Sequence, residues 1–182
     1  FVATPRVIDY GGSGKTFDLT HYFEYFDDCI LQGEPVSKIL GSLNSKEINL
    51  INYYKRNKII PVSLFRKLGI GFSEEDKKEV KILPKKSSRN GRFSLPLIIE
   101  FDNDLSWLVG MWLADGSYDK NSVIFSMVNE ECDLYAKNIA KRFGIDLKMH
   151  SDGLSLMLNS KLFKVFFEKC LELKGNAYTK KA

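Results

Sequence analysis

The residue of this chain best placed to do chemistry is Asp115, a carboxylate that directly follows a long apolar run. The run Leu105-Ser106-Trp107-Leu108-Val109-Gly110-Met111-Trp112-Leu113-Ala114 reads as a helix of about three turns, with Gly116 as a left-handed stop behind it. Asp115 then lies at the negative end of the helix dipole, where an acid is disfavoured by a few tenths to about 1 kcal/mol. Something should compensate it. A divalent cation would, and a carboxylate fixed at a helix end is a suitable ligand for a hard, oxygen-liking ion such as Mg²⁺ beside a phosphate. On the same helix Gly110 and Ala114 are small residues one turn apart among Trp107, Leu108, Trp112 and Leu113, so a second helix could approach closely along that stripe. The plainer alternative is a buried helix whose capped end reads Ala-Asp-Gly by chance.

The elements that must hold these residues follow from patterning. Asp102, Asn103 or Asp104 can cap the helix. Residues 117–120 suit a short strand, and the β-branched and aromatic run at residues 122–128 suits a second. Asn129-Glu130-Glu131 opens an amphipathic helix that ends at Phe143-Gly144. Leu147 and Met149 alternate with Asp146, Lys148 and His150; after an Asp152-Gly153 turn, Leu154, Leu156 and Leu158 alternate with Ser155, Met157 and Asn159. These are two paired strands with one apolar face. Ser160 caps a last helix over residues 161–173, with Leu162, Val165, Phe166 and Cys170 inward. The expected order is αββαββα, within an α+β chain.

LVGMWLADG, residues 108–116, resembles the LAGLIDADG signature of homing endonucleases, and the αββαββα order over residues 98–182 is the order that family uses. The resemblance implies that Asp115 is the metal-binding and catalytic acid, that Gly116 adjoins the metal, and that Gly110 and Ala114 pack the motif helix against that of a second unit. Leu113 stands where the signature has its earlier acid. The stretch Gly175-Asn176-Ala177-Tyr178-Thr179-Lys180-Lys181 resembles the segment that carries the family's catalytic lysine, with Lys180 as the better match. Phe1-Val2-Ala3-Thr4-Pro5-Arg6 resembles the end of an intein splicing domain just where an endonuclease is inserted. What the resemblance implies is an intein-borne, Mg²⁺-dependent, site-specific double-stranded DNA endonuclease. Its sheet would lie along the duplex, with Lys120, Ser126, Lys148, His150, Ser155 and Asn159 on bases and phosphates. A second LAGLIDADG unit, in the same chain beyond residue 182 or in a homodimer, would supply the second acid. The chain holds neither the intein's first-residue nucleophile nor its terminal His-Asn, so it is not expected to splice.

The rest of the chain is less specific. Residues 1–18 are expected to be a splicing-junction remnant and linker, 19–75 a small helical subdomain, 76–97 a basic linker or arm, and 98–182 the endonuclease unit. The helical expectation rests on Tyr22, Phe23 and Phe26, on Ile48, Leu50, Ile51 and Tyr54, and on Pro61 opening a short helix. Residues 76–92 hold seven basic side chains against two acidic ones, as either a solvated connection or an arm tracking phosphates would. Gly11-Gly12-Ser13-Gly14-Lys15-Thr16 invites a P-loop reading, but Asp9 stands where the first glycine is required, so a linker is the better reading.

Composition bounds these readings without choosing among them. The 182 residues, 44% of them hydrophobic, can bury a core, and a net charge of +4 favours an anionic partner only mildly. No apolar run is long enough to suggest a membrane span. Three dispersed cysteines and two histidines make neither a disulfide framework nor a zinc site, which fits a reducing, cytoplasmic setting. Two rivals to the endonuclease stay open: a non-catalytic DNA-binding module or regulator with the same fold, and a domain unrelated to DNA with an accidental motif.

Overall fold

The structure is a computed structural model and describes residues 16–43, 50–85, 93–126 and 130–175. The chain divides into two compact units, one formed by Asp18–Ile99 and the other by Phe1–Phe17 with Glu100–Ala182. They are called here the 18–99 unit and the 100–182 unit.

The 18–99 unit is mixed rather than helical. After strand β1 (Thr16–Asp18), Asp18 caps a 3₁₀ helix (Leu19–Phe26), its Oδ1 accepting from the Thr20 amide at 2.8 Å. Leu19, Phe23 and Phe26 are buried from that helix, and Phe23 meets Phe65 edge to face. There follow β2 (Cys29–Gln32), α1 (Glu34–Ser42), α2 (Ile51–Asn57), β3 (Ile59–Pro61), α3 (Val62–Leu68), α4 (Glu74–Glu79), β4 (Lys81–Pro84), β5 (Leu95–Pro96) and β6 (Ile98–Glu100). Strands β3-β2-β4-β5 form an antiparallel sheet in that order. Leu31 pairs with Ile60 on one side and Ile82 on the other, and Ile82 with Leu95, so one face is a buried aliphatic row.

Two expectations from the sequence do not hold. Residues 19–75 contain strands as well as helices, because Cys29-Ile30-Leu31 and Ile59-Ile60 are β-prone runs too short to show a period. Residues 76–97 are not simply a linker: their described part holds most of α4 and all of β4 and β5, with Val80, Ile82, Leu95 and Leu97 buried. Lys77, counted with the basic arm, instead pairs with Asp18 at 2.6 Å and is largely shielded from solvent.

In the 100–182 unit the order is α5 (Asn103–Asp115), β7 (Ser117–Asp119), β8 (Ser122–Ser126), α6 (Glu130–Phe143), β9 (Asp146–Met149), β10 (Ser155–Asn159) and α7 (Lys161–Val165), continued by a π-helical turn (Phe166–Cys170). Asp102 caps α5, its Oδ1 accepting from the Leu105 amide at 2.9 Å, and Arg142 of α6 ion-pairs with the same carboxylate. Gly144 (φ 63) ends α6, and Ser160 caps α7 by accepting from the Phe163 amide at 3.2 Å. The last helix therefore ends at Cys170 rather than at residue 173.

The four strands pair antiparallel in the order β7-β8-β10-β9. Val123 and Phe125 lie opposite Leu158 and Leu156, and all four are buried beneath the helices. Trp107 of α5 stacks on Tyr135 of α6 at 4.8 Å and meets the edge of Phe125, which fixes both helices over this face. Cys132 and Cys170 are buried in this unit, as Cys29 is in the other. No helix among the described residues is long and apolar enough to cross a membrane.

Candidate functional site

The face of the β7-β8-β10-β9 sheet opposite the buried leucines gathers most of the polar residues expected to read a ligand. Register puts Ser126 opposite Ser155, Ile124 opposite Met157, and Ser122 opposite Asn159. On the outer side Met157 faces Lys148 and Asn159 faces Asp146. The amide of His150 donates to the Ser155 carbonyl at 2.8 Å, which extends the Ser126–Ser155 row by one residue. Because facing residues in a ladder share a face, Ser126, Lys148, His150, Ser155 and Asn159 lie on one side of the sheet. The same face carries Ile124 and Met157 at its centre and Asp119 and Asp146 near one end, which the sequence reading did not assign to a site. Period-two alternation from Val123 and Leu158 would have found Ile124 and Met157, whereas the face of Asp119 and Asp146 follows from their pairing with Ser122 and Asn159 across the hairpins.

Asp115 joins this face through one bond. Ser126 Oγ donates to Asp115 Oδ2 at 2.6 Å, linking the end of α5 to the last residue of β8. The compensation expected for an acid at a helix C-terminus is therefore present in part as a hydroxyl donor. Asp115 is exposed.

Gly116 corrects the sequence reading. Its φ of −84° and ψ of 164° are extended, so it is not a left-handed stop. Its reason is space. A Cβ there would lie 2.4 Å from Cδ1 of Trp112 and 2.6 Å from the Trp112 Cα. The Trp112 indole is fully buried, donates through Nε1 to the Ser117 carbonyl at 3.2 Å and packs on Tyr118 at 4.8 Å. That ring fills the room a side chain at 116 would need, and the turn from α5 into β7 closes tightly over it. Burial pushes the Tyr118 hydroxyl above its ordinary value, and it donates to the Leu173 carbonyl at 2.7 Å.

Gly110 behaves oppositely. A Cβ at Gly110 would meet nothing within 4 Å, and Ala114 one turn on is exposed. Packing within the described fold does not demand a glycine there. Lys120 is exposed in the β7–β8 turn, where Lys164 Nζ donates to the carbonyls of Asp119 (3.0 Å) and Lys120 (3.5 Å). Lys180 lies outside the described residues, as do Phe1 to Arg6 of the junction-like stretch.

A comparison with protein-family models returns no match, and a comparison with curated proteins returns none either.

Proposed function

We propose that residues 98–182 are one half of a site-specific double-stranded DNA endonuclease of the LAGLIDADG homing type, borne by an intein and hydrolysing phosphodiesters with Mg²⁺. The observation that carries this reading is the bond from Ser126 to Asp115, which brings a helix-end carboxylate to the rim of a polar sheet face that also bears Lys148, His150, Ser155 and Asn159. A twisted antiparallel ribbon of this kind fits the major groove, and side chains alternating along it reach base edges and phosphates.

The donors around Asp115 fit Mg²⁺. The Asp115 carboxylate is a hard oxygen donor and the Gly116 carbonyl would be a second of the same kind, and Mg²⁺ commonly takes one or two protein carboxylates and completes its shell with phosphate oxygens and water. When bound, the ion supplies an activated water and stabilises the leaving oxygen. The chain's own part is to fix that acid: the Ser126 hydroxyl orients Asp115, and the Trp112 ring leaves the turn at Gly116 one tight course. Lys180 would neutralise charge developing on phosphorus. Gly110 and Ala114 leave room for the motif helix of a second unit, in cis or in a homodimer, which brings the second acid.

The test is Asp115→Asn, which keeps shape and removes charge. Strand cleavage of cognate DNA in Mg²⁺ should be eliminated in whatever assembly supplies the second unit. Duplex binding in Ca²⁺ should stay within a few-fold, and the unfolding midpoint should be unchanged or slightly higher. One observation favours the rival reading of a DNA-binding module without catalysis: Ser126 already relieves the helix-end carboxylate without an ion. Undiminished cleavage by the Asn variant would establish that Asp115 is structural.

A further inference from the structure

The hairpin from β9 to β10 turns on a carboxylate with four partners. Asp152 Oδ1 accepts from the amides of Leu154 (2.8 Å) and Ser155 (2.9 Å), while Oδ2 accepts from Ser155 Oγ at 2.8 Å and lies 3.0 Å from His150 Nδ1. The Leu154 amide first, then the Ser155 hydroxyl, hold this carboxyl at about 2, so it is an anion under all ordinary conditions.

His150 Nδ1 has a second neighbour, the Asp152 amide nitrogen at 3.4 Å. The two contacts require opposite protonation. Donation to Oδ2 needs a proton on Nδ1, whereas acceptance from the amide needs a lone pair there. The carboxylate contact is the shorter, and a hydrogen bond to an ionised acceptor is roughly twice as strong as a neutral one. A separation of 3.4 Å is also beyond the ordinary range for an N–H donor. The proton therefore belongs on Nδ1, and in the neutral ring Nε2 is left as an acceptor. Among the described residues Nε2 has no hydrogen-bond partner, and the ring is about a third exposed at the end of the row it shares with Ser155 and Ser126.

We propose that Asp152 fixes His150 as the Nδ1–H tautomer, so that Nε2 offers an acceptor on the open sheet face, fitted to an exocyclic amino group of a base edge rather than to a phosphate oxygen. Phosphate oxygens only accept, and oppose a lone pair. In the major groove the amines of cytosine N4 and adenine N6 present donors. The tautomer stands on the hairpin alone; the choice of ligand rests on the DNA reading above. Asp152 is then a positioning residue and His150 the residue that reads.

Long-range ¹H–¹⁵N correlation on the ¹⁵N-labelled full chain at alkaline pH separates the tautomers directly. A protonated-type shift is expected at Nδ1 and an unprotonated one at Nε2. Asp152→Asn keeps a carbonyl oxygen for the two turn amides but turns an N–H toward His150, so the proton should move to Nε2. In parallel, selection from a random-sequence duplex pool should enrich adenine or cytosine at one position, and both Asp152→Asn and His150→Ala should reduce that preference about fivefold. A proton on Nε2 in the unaltered chain, or an identical spectrum in Asp152→Asn, overturns the tautomer assignment. A base preference unchanged in both variants overturns the contact. No binding to any duplex removes the DNA reading and the base contact together while the tautomer result stands, so the two failures are told apart.

Discussion

Each unit of this chain builds a four-stranded antiparallel sheet, and the residues that alternate away from the buried rows differ in kind. In the 18–99 unit they are Ile30, Leu83, Ile59, Pro61 and Pro96, with Gln32 and Lys81 at the margin. In the 100–182 unit they are Ser122, Ser126, Ser155, Asn159, Lys148 and His150 around a central Ile124 and Met157, with Asp119 and Asp146 near one end. The ladder is the same and the buried aliphatic rows are alike. The difference shows that strand pairing sets where a side chain points, while chemistry needs the second set of alternating positions to be polar and a reactive group brought to its edge. Among the described residues the 100–182 sheet has the polar set, with the Asp115 carboxylate attached through Ser126; under the function proposed above that carboxylate would be the reactive group.

The largest effect should come from Gly116→Ala. The added Cβ overlaps the buried Trp112 ring and its backbone, which costs about 3 kcal/mol in denaturant unfolding. Both tryptophans belong to the 100–182 unit, so their fluorescence follows this loss. Gly110→Ala is the control and should stabilise by about 0.5–1 kcal/mol, because the helix gains propensity and the site is open. Equal effects at the two glycines would dissolve the argument that the turn at 116 is fixed by packing.

Next in size is Asp18→Asn in the other unit. Burial raises the Asp18 carboxyl, but the Lys77 ammonium and then the Thr20 amide outweigh it and leave it below the ordinary value. A depressed acid contributes stability above its unfolded value near about 4, and that contribution fades as pH falls through the folded value. Lys77, raised by Asp18 first and Glu74 second, contributes below its own unfolded value and loses this as pH rises through the folded one. Replacing Asp18 should therefore cost about 1–2 kcal/mol at neutral pH and little in strong acid. Hydrogen exchange at the β2 amides measures it, and a cost that persists in acid would point to packing instead of charge.

The smallest change in stability, and the most direct comparison of the two sheets, pairs Lys148→Ala with Lys81→Ala. Both lysines are exposed, so each substitution should alter stability by less than about 0.5 kcal/mol. If the 100–182 sheet tracks duplex DNA, Lys148→Ala should lower the slope of log affinity against log salt by about one, and Lys81→Ala should leave it alone. A slope that responds only to Lys81 would transfer the interface to the wrong sheet.

Which of these features could be read from sequence depended on how far their causes extend along the chain. The β10 strand alternates over five residues and is preceded by Asp152-Gly153, with Gly153 at φ 69°, so strand and turn were both legible. The 18–99 sheet was not, since β5 spans Leu95–Pro96 and β3 three residues, too little for a period to rise above local composition. Asp115 is legible from its place at a helix end. Its partner Ser126, eleven residues on, was expected only as a DNA contact, because the link depends on how β7 and β8 pair. At position 116 a glycine suggests a backbone angle, whereas the restriction comes from the ring four residues earlier.

The three buried cysteines have a use in time rather than in structure. Burial pushes the Cys170 thiol up to about 12, so a thiol reagent in solution must await an opening of the chain before it can react there. Cys29 lies in one unit, and Cys132 and Cys170 lie in the other. The order in which they become modified is thus a clock for the order in which the two units open, written into the natural sequence and readable by mass without adding a probe.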